Sequence, residues 1–258
     1  MNVFNQSNCT VQLTTASPTF VQLLEEVLVA VGWTSVLRTG STLTAINTVG
    51  KKIVVKDSDN SAILIGYRNI DDNRGFPSVG QMPSNATFQQ GVSIPRNPLD
   101  TNWLLFADSQ AFYFLHSQKL FGFSFFEALF DDDETFFVLG ASAANTTYQL
   151  LSNNTSSLSS VIYLEGDGMG LSLSKQAGAS IFYRIDDYDF SHVVNSTLLA
   201  ASPIAIHHAD TKQCRGFIHD LFAFSNTFSS VGQIFSRGGY TLYCVIINGR
   251  CYGVRLDA

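Results

Sequence analysis

Apolar residues fall at Phe20, Leu23, Leu24, Val27, Leu28 and Val31, the spacing of one face of an amphipathic helix. Glu25 and Glu26 mark its wet side. Ser17 is a suitable N-cap, Pro18 suits the first helical position, and Gly32 suits the residue after the last turn. The pattern predicts one helix, with its apolar face buried in the protein's own core. Beyond Trp33 the period shortens. Leu43–Asn47 and Ile53–Lys56 read as strands, and Asp57-Ser58-Asp59-Asn60 turns the second into Ala62–Tyr67. Gly75–Asn102 carries four prolines and little periodicity. Loops longer than about 12–15 residues are usually functional or partner-bound, so this segment is expected to touch a neighbour or to wrap its own domain.

Trp103–Leu115 holds two aromatic-rich apolar runs around the polar break Asp108-Ser109-Gln110, the signature of a buried β-hairpin. Phe123–Leu139 reads as a second hairpin around the acidic turn Asp131-Asp132-Asp133-Glu134. Asn145–Ser160, rich in Ser, Thr and Asn, reads as a loop or lobe boundary. Short strands are expected at Val161–Leu164, Leu171–Leu173, Ser180–Ile185, Ile204–Ala209 and Gly216–Ala223. Tyr240–Ile247 and Arg250–Leu256 close the chain as a hairpin over Asn248-Gly249, the strongest two-residue signal for a type I′ turn. The fold class is therefore mainly β with one N-terminal helix, its antiparallel hairpins forming sandwich- or barrel-like lobes. The division expected is residues 1–150 and 151–258, or one continuous domain.

The order of these segments resembles a family of virion structural proteins of tailed bacteriophages. Ala16–Gly32 is similar to its small-residue lead and "leu-leu-x-x-x-leu-val-x-x-Gly" helix, and Trp33 opens its Gly-Trp segment. Ile63–Asp72 is similar to its strand, Gly-Tyr and acidic turn, ahead of Phe76-Pro77. Trp103–Leu115 matches its Trp-to-Phe-Tyr hairpin, and Phe121-Gly122-Phe123 follows. Arg215-Gly216 matches its Arg-Gly segment, where the usual Leu-Pro-Gly-Leu is here Phe217-Ile218-His219-Asp220-Leu221. A long β-rich insertion usual before the Gly-Trp segment is missing. The resemblance covers most of the chain and implies a non-enzymatic structural component of the tail, tail tip or baseplate. It further implies assembly in several copies with other virion proteins, after synthesis in the host cytoplasm. No catalytic residue is carried over by it. A receptor- or glycan-binding module of the tail and a head-associated or connector protein are the rival readings.

Composition bears on the partners. Charged residues make 14% of the 258, against about 25% in an ordinary soluble domain. Such a neutral, hydroxyl-rich surface suits packing against copies of itself or neighbours, and equally a β-rich protein with a polar exterior. The net charge of −6 comes with no basic cluster beyond Lys51-Lys52, too little to neutralise a run of phosphates. No run approaches the roughly 18 apolar residues of a membrane span, and the start lacks the pattern of a signal peptide. Neither nucleic-acid binding nor membrane insertion is expected. The 21 Phe against 2 Trp favour core filling over a sugar-binding surface.

The candidates for chemistry each have a plainer reading. Asp131–Glu134 lacks the spaced ligands and bend glycine of a calcium loop and reads as a solvated turn. His207-His208 with Asp210 would point to opposite faces of a strand. His219-Asp220 lies near Cys214, but a nucleophile needs its base within hydrogen-bond reach, which spacing alone does not supply. Gly166-Asp167-Gly168-Met169-Gly170 lacks the Gly-Lys-Ser/Thr of a phosphate loop. Cys9, Cys214, Cys244 and Cys251 have no zinc-type spacing and are expected to be free thiols. Asn-x-Ser/Thr triplets such as Asn85-Ala86-Thr87 follow from the composition. Accordingly no catalytic, cofactor-binding or metal-binding residue and no cofactor is assigned from the sequence.

Overall fold

The computed structural model describes residues 1–58, 61–69, 92–95, 102–116, 119–128, 135–139, 141–142, 201–207, 214–224, 231–237, 239–247 and 250–256. Outside them lie Asp131–Glu134, Asn145–Ser160, the three strands expected between Val161 and Ile185, Gly166–Gly170, His208, Asp210 and the Asn248-Gly249 turn.

One helix, α1 (Thr19–Ala30), and two open antiparallel sheets make the described fold, which is mainly β and sandwich-like, with no closed barrel. The smaller sheet contains β2 (Thr34–Thr39), β3 (Thr42–Ile46), β4 (Lys51–Ser58), β5 (Ser61–Asn69), β6 (Val92–Pro95) and β11 (Ala141–Ser142). The larger sheet runs in the order β1 (Asn2–Phe4), β7 (Trp103–Ala107), β8 (Phe112–His116), β9 (Lys119–Ala128), β13 (Cys214–Phe224), β16 (Arg250–Leu256), β15 (Tyr240–Ile247) and β14 (Ile234–Arg237). β10 (Thr135–Leu139) pairs with β9, and β12 (Ala201–His207) with β13. This sheet draws its strands from both sides of residue 150.

The helix forms where its periodicity predicts, with Phe20, Val21, Leu23, Leu24, Val27 and Leu28 buried. Its ends differ in how well the sequence announces them. At the C-terminus, Gly32 has φ +96°, and the N–H groups of Trp33 and Gly32 donate to the carbonyls of Leu28 and Val29. This is a Schellman closure, with Trp33 and Leu28 both in the core. At the N-terminus Ser17 is not the cap. The flanking residue is Pro18, whose side chain offers no acceptor, and the Ser17 hydroxyl instead donates to the Asp57 carbonyl. The orphan amides of Phe20 and Val21 donate to the carboxylate of Asp57 on β4.

β8 is buried at every position, Phe112 to His116. A strand inside a sheet covered on both faces does not alternate. Phe114 meets Phe20 of the helix edge-on at 5.0 Å between ring centres. Trp33 meets Phe112 at 6.2 Å and Phe123 at 5.9 Å, also edge-on. Among the described residues Phe20, Phe106, Phe112, Phe114, Phe121 and Phe123 fill the core, the use expected of Phe.

Gly75–Asn102 needs correction. Val92–Pro95 within it is β6, paired with β5 on one side and β11 on the other. Val92 and Ile94 flank a polar Ser93, but the run is short and ends on a proline, a residue that argues against a paired strand. The rest of the segment, apart from Asn102, is outside the described residues.

Candidate functional site

The polar break between β7 and β8 is a turn built around one side chain. Asp108 Oδ1 accepts the N–H groups of Gln110 and Ala111, each at 2.8 Å, and the Asp108 N–H donates to the Ala111 carbonyl at 3.0 Å. A short acidic side chain folding back on its own backbone is what favours Asp in turns. Distant residues hold the loop from outside. Trp33 Nε1 donates to the Asp108 carbonyl at 2.8 Å, Asn47 Nδ2 to that of Gln110 at 2.9 Å, and Thr48 Oγ1 to that of Ser109 at 3.0 Å. With Oδ1 committed to the turn, the second oxygen of Asp108 is presented to β13.

There it meets His219, whose Nε2 lies 2.7 Å from Asp108 Oδ2. The same nitrogen is 3.3 Å from Asp220 Oδ2. Consecutive residues of a regular strand point to opposite faces, so this convergence needs a break in β13, and three observations describe it. Asp220 has φ +54°. The pairing with β12 shifts register, Pro203 lying opposite Phe222 while Ala205 lies opposite Phe217. On its other pairings β13 changes partner, from β9 at Gly216–Ile218 to β16 at Leu221–Ala223. Such a bulge re-aims side chains, and here it turns His219 and Asp220 toward one point.

The surroundings fix this geometry. The imidazole stacks on Phe125 with centroids 4.3 Å apart and planes 20° apart. Tyr113 OH donates to the His219 carbonyl and shares a 2.6 Å hydrogen bond with Ser124 Oγ. Asp220 also faces the Arg255 guanidinium, 3.8 Å from Oδ1, and the Met1 amino group, 3.5 Å from Oδ2.

The pKa values of the two carboxyls are shifted in opposite directions. Burial pushes Asp108 up, but the hydrogen bond and charge of His219 and the two turn amides outweigh it and leave its pKa lowered. Burial also pushes Asp220 up, and there the charges of His219, the Met1 amino group and Arg255 do not compensate, so its pKa is raised. Chemically, one ring nitrogen and two carboxylate oxygens all lie within 4.8 Å of one another. Such a set can hold a proton or a cation.

Of the residues singled out in the sequence, His219-Asp220 enters this cluster. Cys214 is the first residue of β13, where it pairs with His207, and the side chains of both lie outside the described residues. Asp108, visible in the sequence only as part of a turn, is the member that sequence reasoning misses. It stands 111 positions from His219, and only the order of strands β7, β8, β9 and β13 brings the two together.

Compared with protein-family models and with curated proteins, the sequence matches none.

Proposed function

We propose that the chain is a non-enzymatic structural component of a tailed-phage virion, in the tail or its tip and baseplate region, where several copies assemble with other virion proteins. The observation that carries this reading is the ordered series of segments from Ala16 to Leu221 that resembles such proteins. Residues of that series meet in space, which supports treating them as one unit. Trp33 of the Gly-Trp segment packs on Phe112 and Phe123 of the hairpins and donates to the Asp108 carbonyl.

Assembly has its own support. Among the described residues β14 is a terminal strand of the larger sheet, paired with β15. Around it Ile234 is 57% exposed, Val231 48% and Tyr240 41%. An exposed sheet edge is a template for pairing with another chain, and this one carries both Ile234 and Arg237, with the Arg255 guanidinium 4.7 Å from the Tyr240 ring centre. The core location of Phe20, Phe106, Phe112, Phe114, Phe121 and Phe123 gives no support to the rival glycan-binding surface.

The experiment is an image reconstruction of gradient-purified virions of the encoding phage, with the chain counted by quantitative mass spectrometry. A fixed, ring-like copy number and density in the tail are expected. Absence from the particle overturns the structural role. Density in the head overturns the tail location in favour of the connector reading. Binding of host polysaccharide by the isolated chain favours the receptor module.

A further inference from the structure

We infer that Asp108, His219 and Asp220 form a binding site for one zinc-class divalent cation, which clamps the β7–β8 turn to the bulge of β13. This goes beyond the virion reading and stands or falls independently of it.

The first support is the spacing of the donors. Nitrogen and oxygen ligands lie about 2.0–2.2 Å from zinc. Two of them subtending a right or tetrahedral angle at the ion are then about 2.8–3.6 Å apart, a consequence of the same bond lengths. The His219 Nε2 to Asp108 Oδ2 and Asp220 Oδ2 separations are 2.7 and 3.3 Å, and all three donor atoms lie within 4.8 Å of one another. A cation seated among the three needs the imidazole to part slightly from Asp108 and the two carboxylates to close around the ion.

The second support is preorganisation. Asp108 can turn only Oδ2 toward the site, because Oδ1 holds two backbone amides. Phe125 fixes the plane of the imidazole. The positive φ of Asp220 places its carboxylate beside the histidine rather than on the opposite face. Ligands held by such partners lose little freedom on binding.

The donor set selects the ion. An imidazole nitrogen disfavours magnesium and calcium, which take oxygen ligands, and the carboxylates disfavour copper(I), which takes soft ones. Asp108 and His219 side chains are each 17% exposed, leaving a wet side from which water completes the coordination. Three side chains from two segments 111 positions apart make the role a cross-link. Binding exchanges a proton for the metal, because Nε2 must be deprotonated to ligate. The rival occupants are that proton, an imidazolium held between the two carboxylates, and the Met1 amino group, 3.5 Å from Asp220 Oδ2.

The test uses the full chain, stripped with a chelator and titrated with Zn²⁺ by calorimetry near neutral pH. One ion per chain is expected. Losing an outer-shell partner of a ligand weakens metal sites by about 10–100-fold, so His219→Gln and Asp220→Asn are each expected to weaken binding by about 100-fold or more. Glu25→Gln, on α1 and not among the three, leaves binding unchanged. Circular dichroism checks that the variants fold. Zinc-edge X-ray absorption on the wild-type protein needs no variant and is expected to show one imidazole among oxygen neighbours. Fewer than one ion per chain, undiminished binding by folded ligand variants, loss of binding with Glu25→Gln, or sulfur in the shell overturns the site.

Discussion

Asp57 on β4 closes the N-terminus of helix α1, its Oδ2 accepting the Phe20 amide at 2.8 Å and the Val21 amide at 3.2 Å. The carboxylate comes from another element, sits where the helix dipole favours negative charge, and is 1% exposed. It therefore anchors the helix to the smaller sheet as well as capping it. Losing a cap costs about 0.5–2 kcal/mol, and leaving a buried donor unsatisfied about 1–3 kcal/mol. Asp57→Ala is expected to lose about 3 kcal/mol in urea unfolding. Asp57→Asn keeps an oxygen acceptor and is expected to lose about half of that. Equal losses for the two would remove the capping role.

A second prediction rests on the Phe121-Gly122-Phe123 segment of β9. Gly122 lies opposite Tyr113 on β8, and a Cβ built on it would stand 2.0 Å from the Phe112 carbonyl oxygen. Backbone cannot swing aside as a long side chain does, so Gly122→Ala forces the two strands apart. Overpacking in a core costs about 1–3 kcal/mol and sometimes more, and this variant is expected at or above the top of that range. Gly40 supplies the contrast. It has φ +51°, and a Cβ added there would have nothing within 4 Å; Asn tolerates that backbone region. Gly40→Asn is expected to change stability by less than about 1 kcal/mol. Thermal melts of the two variants decide the matter.

A third prediction concerns pH. Glu26 on α1 accepts the Thr10 N–H at 2.7 Å, the Thr10 hydroxyl at 2.9 Å and the Val11 N–H at 2.9 Å, tying the N-terminal segment to the helix. Slight burial pushes its pKa up, and these hydrogen bonds outweigh it, leaving the pKa lowered. A carboxyl with a depressed folded pKa contributes stability above its unfolded pKa and loses it as pH falls through the folded one. Hydrogen exchange at Thr10 and Val11, corrected for the intrinsic pH dependence, is expected to lose protection as the pH falls below the ordinary glutamate value of about 4.3. Glu26→Gln is expected to remove that pH dependence. Protection that stays constant through this range would contradict the clamp.

What can be read ahead of the structure follows from how local each cause is. The edges of β15 and β16 coincide with the expected Tyr240–Ile247 and Arg250–Leu256, because alternation is written within each strand. The Trp103–Leu115 hairpin is equally local. β6 is hidden because Val92 and Ile94 give only two apolar positions in a proline-bearing stretch. The helix cap escapes sequence reasoning because its acceptor, Asp57, lies on a strand that only tertiary folding brings near. His219-Asp220 is visible as a pair, but alternation puts the two on opposite faces. No local signal announces a positive φ at Asp220, since aspartate adopts it only sometimes. Asp108 is visible as a turn residue, and its second oxygen has no assignable partner until β13 is placed.

The closing hairpin carries the last prediction. Ile247 pairs with Arg250, Ile246 with Cys251, Val245 with Tyr252 and Cys244 with Gly253, the register that Asn248-Gly249 as central turn residues requires. Cys244 and Cys251 are thus diagonal rather than opposite. Diagonal positions are about 7–8 Å apart, whereas a disulfide needs Cβ atoms about 3.5–4.5 Å apart. Cys244 is a buried cysteine, packed in a small cluster with Phe222, Phe224 and Leu242. Cys9 is also buried, and burial first, then the charge of Glu26, pushes its thiol pKa up, against a weaker opposing hydrogen bond from Asn5. Only the thiolate is alkylated at a useful rate. In the native protein both Cys9 and Cys244 are therefore expected to react slowly with iodoacetamide. Under denaturing, non-reducing conditions Cys9, Cys244 and Cys251 are all expected to be labelled. If mass spectrometry found Cys244 and Cys251 protected together and labelled only after reductant, the register would have to slip to bring them opposite each other.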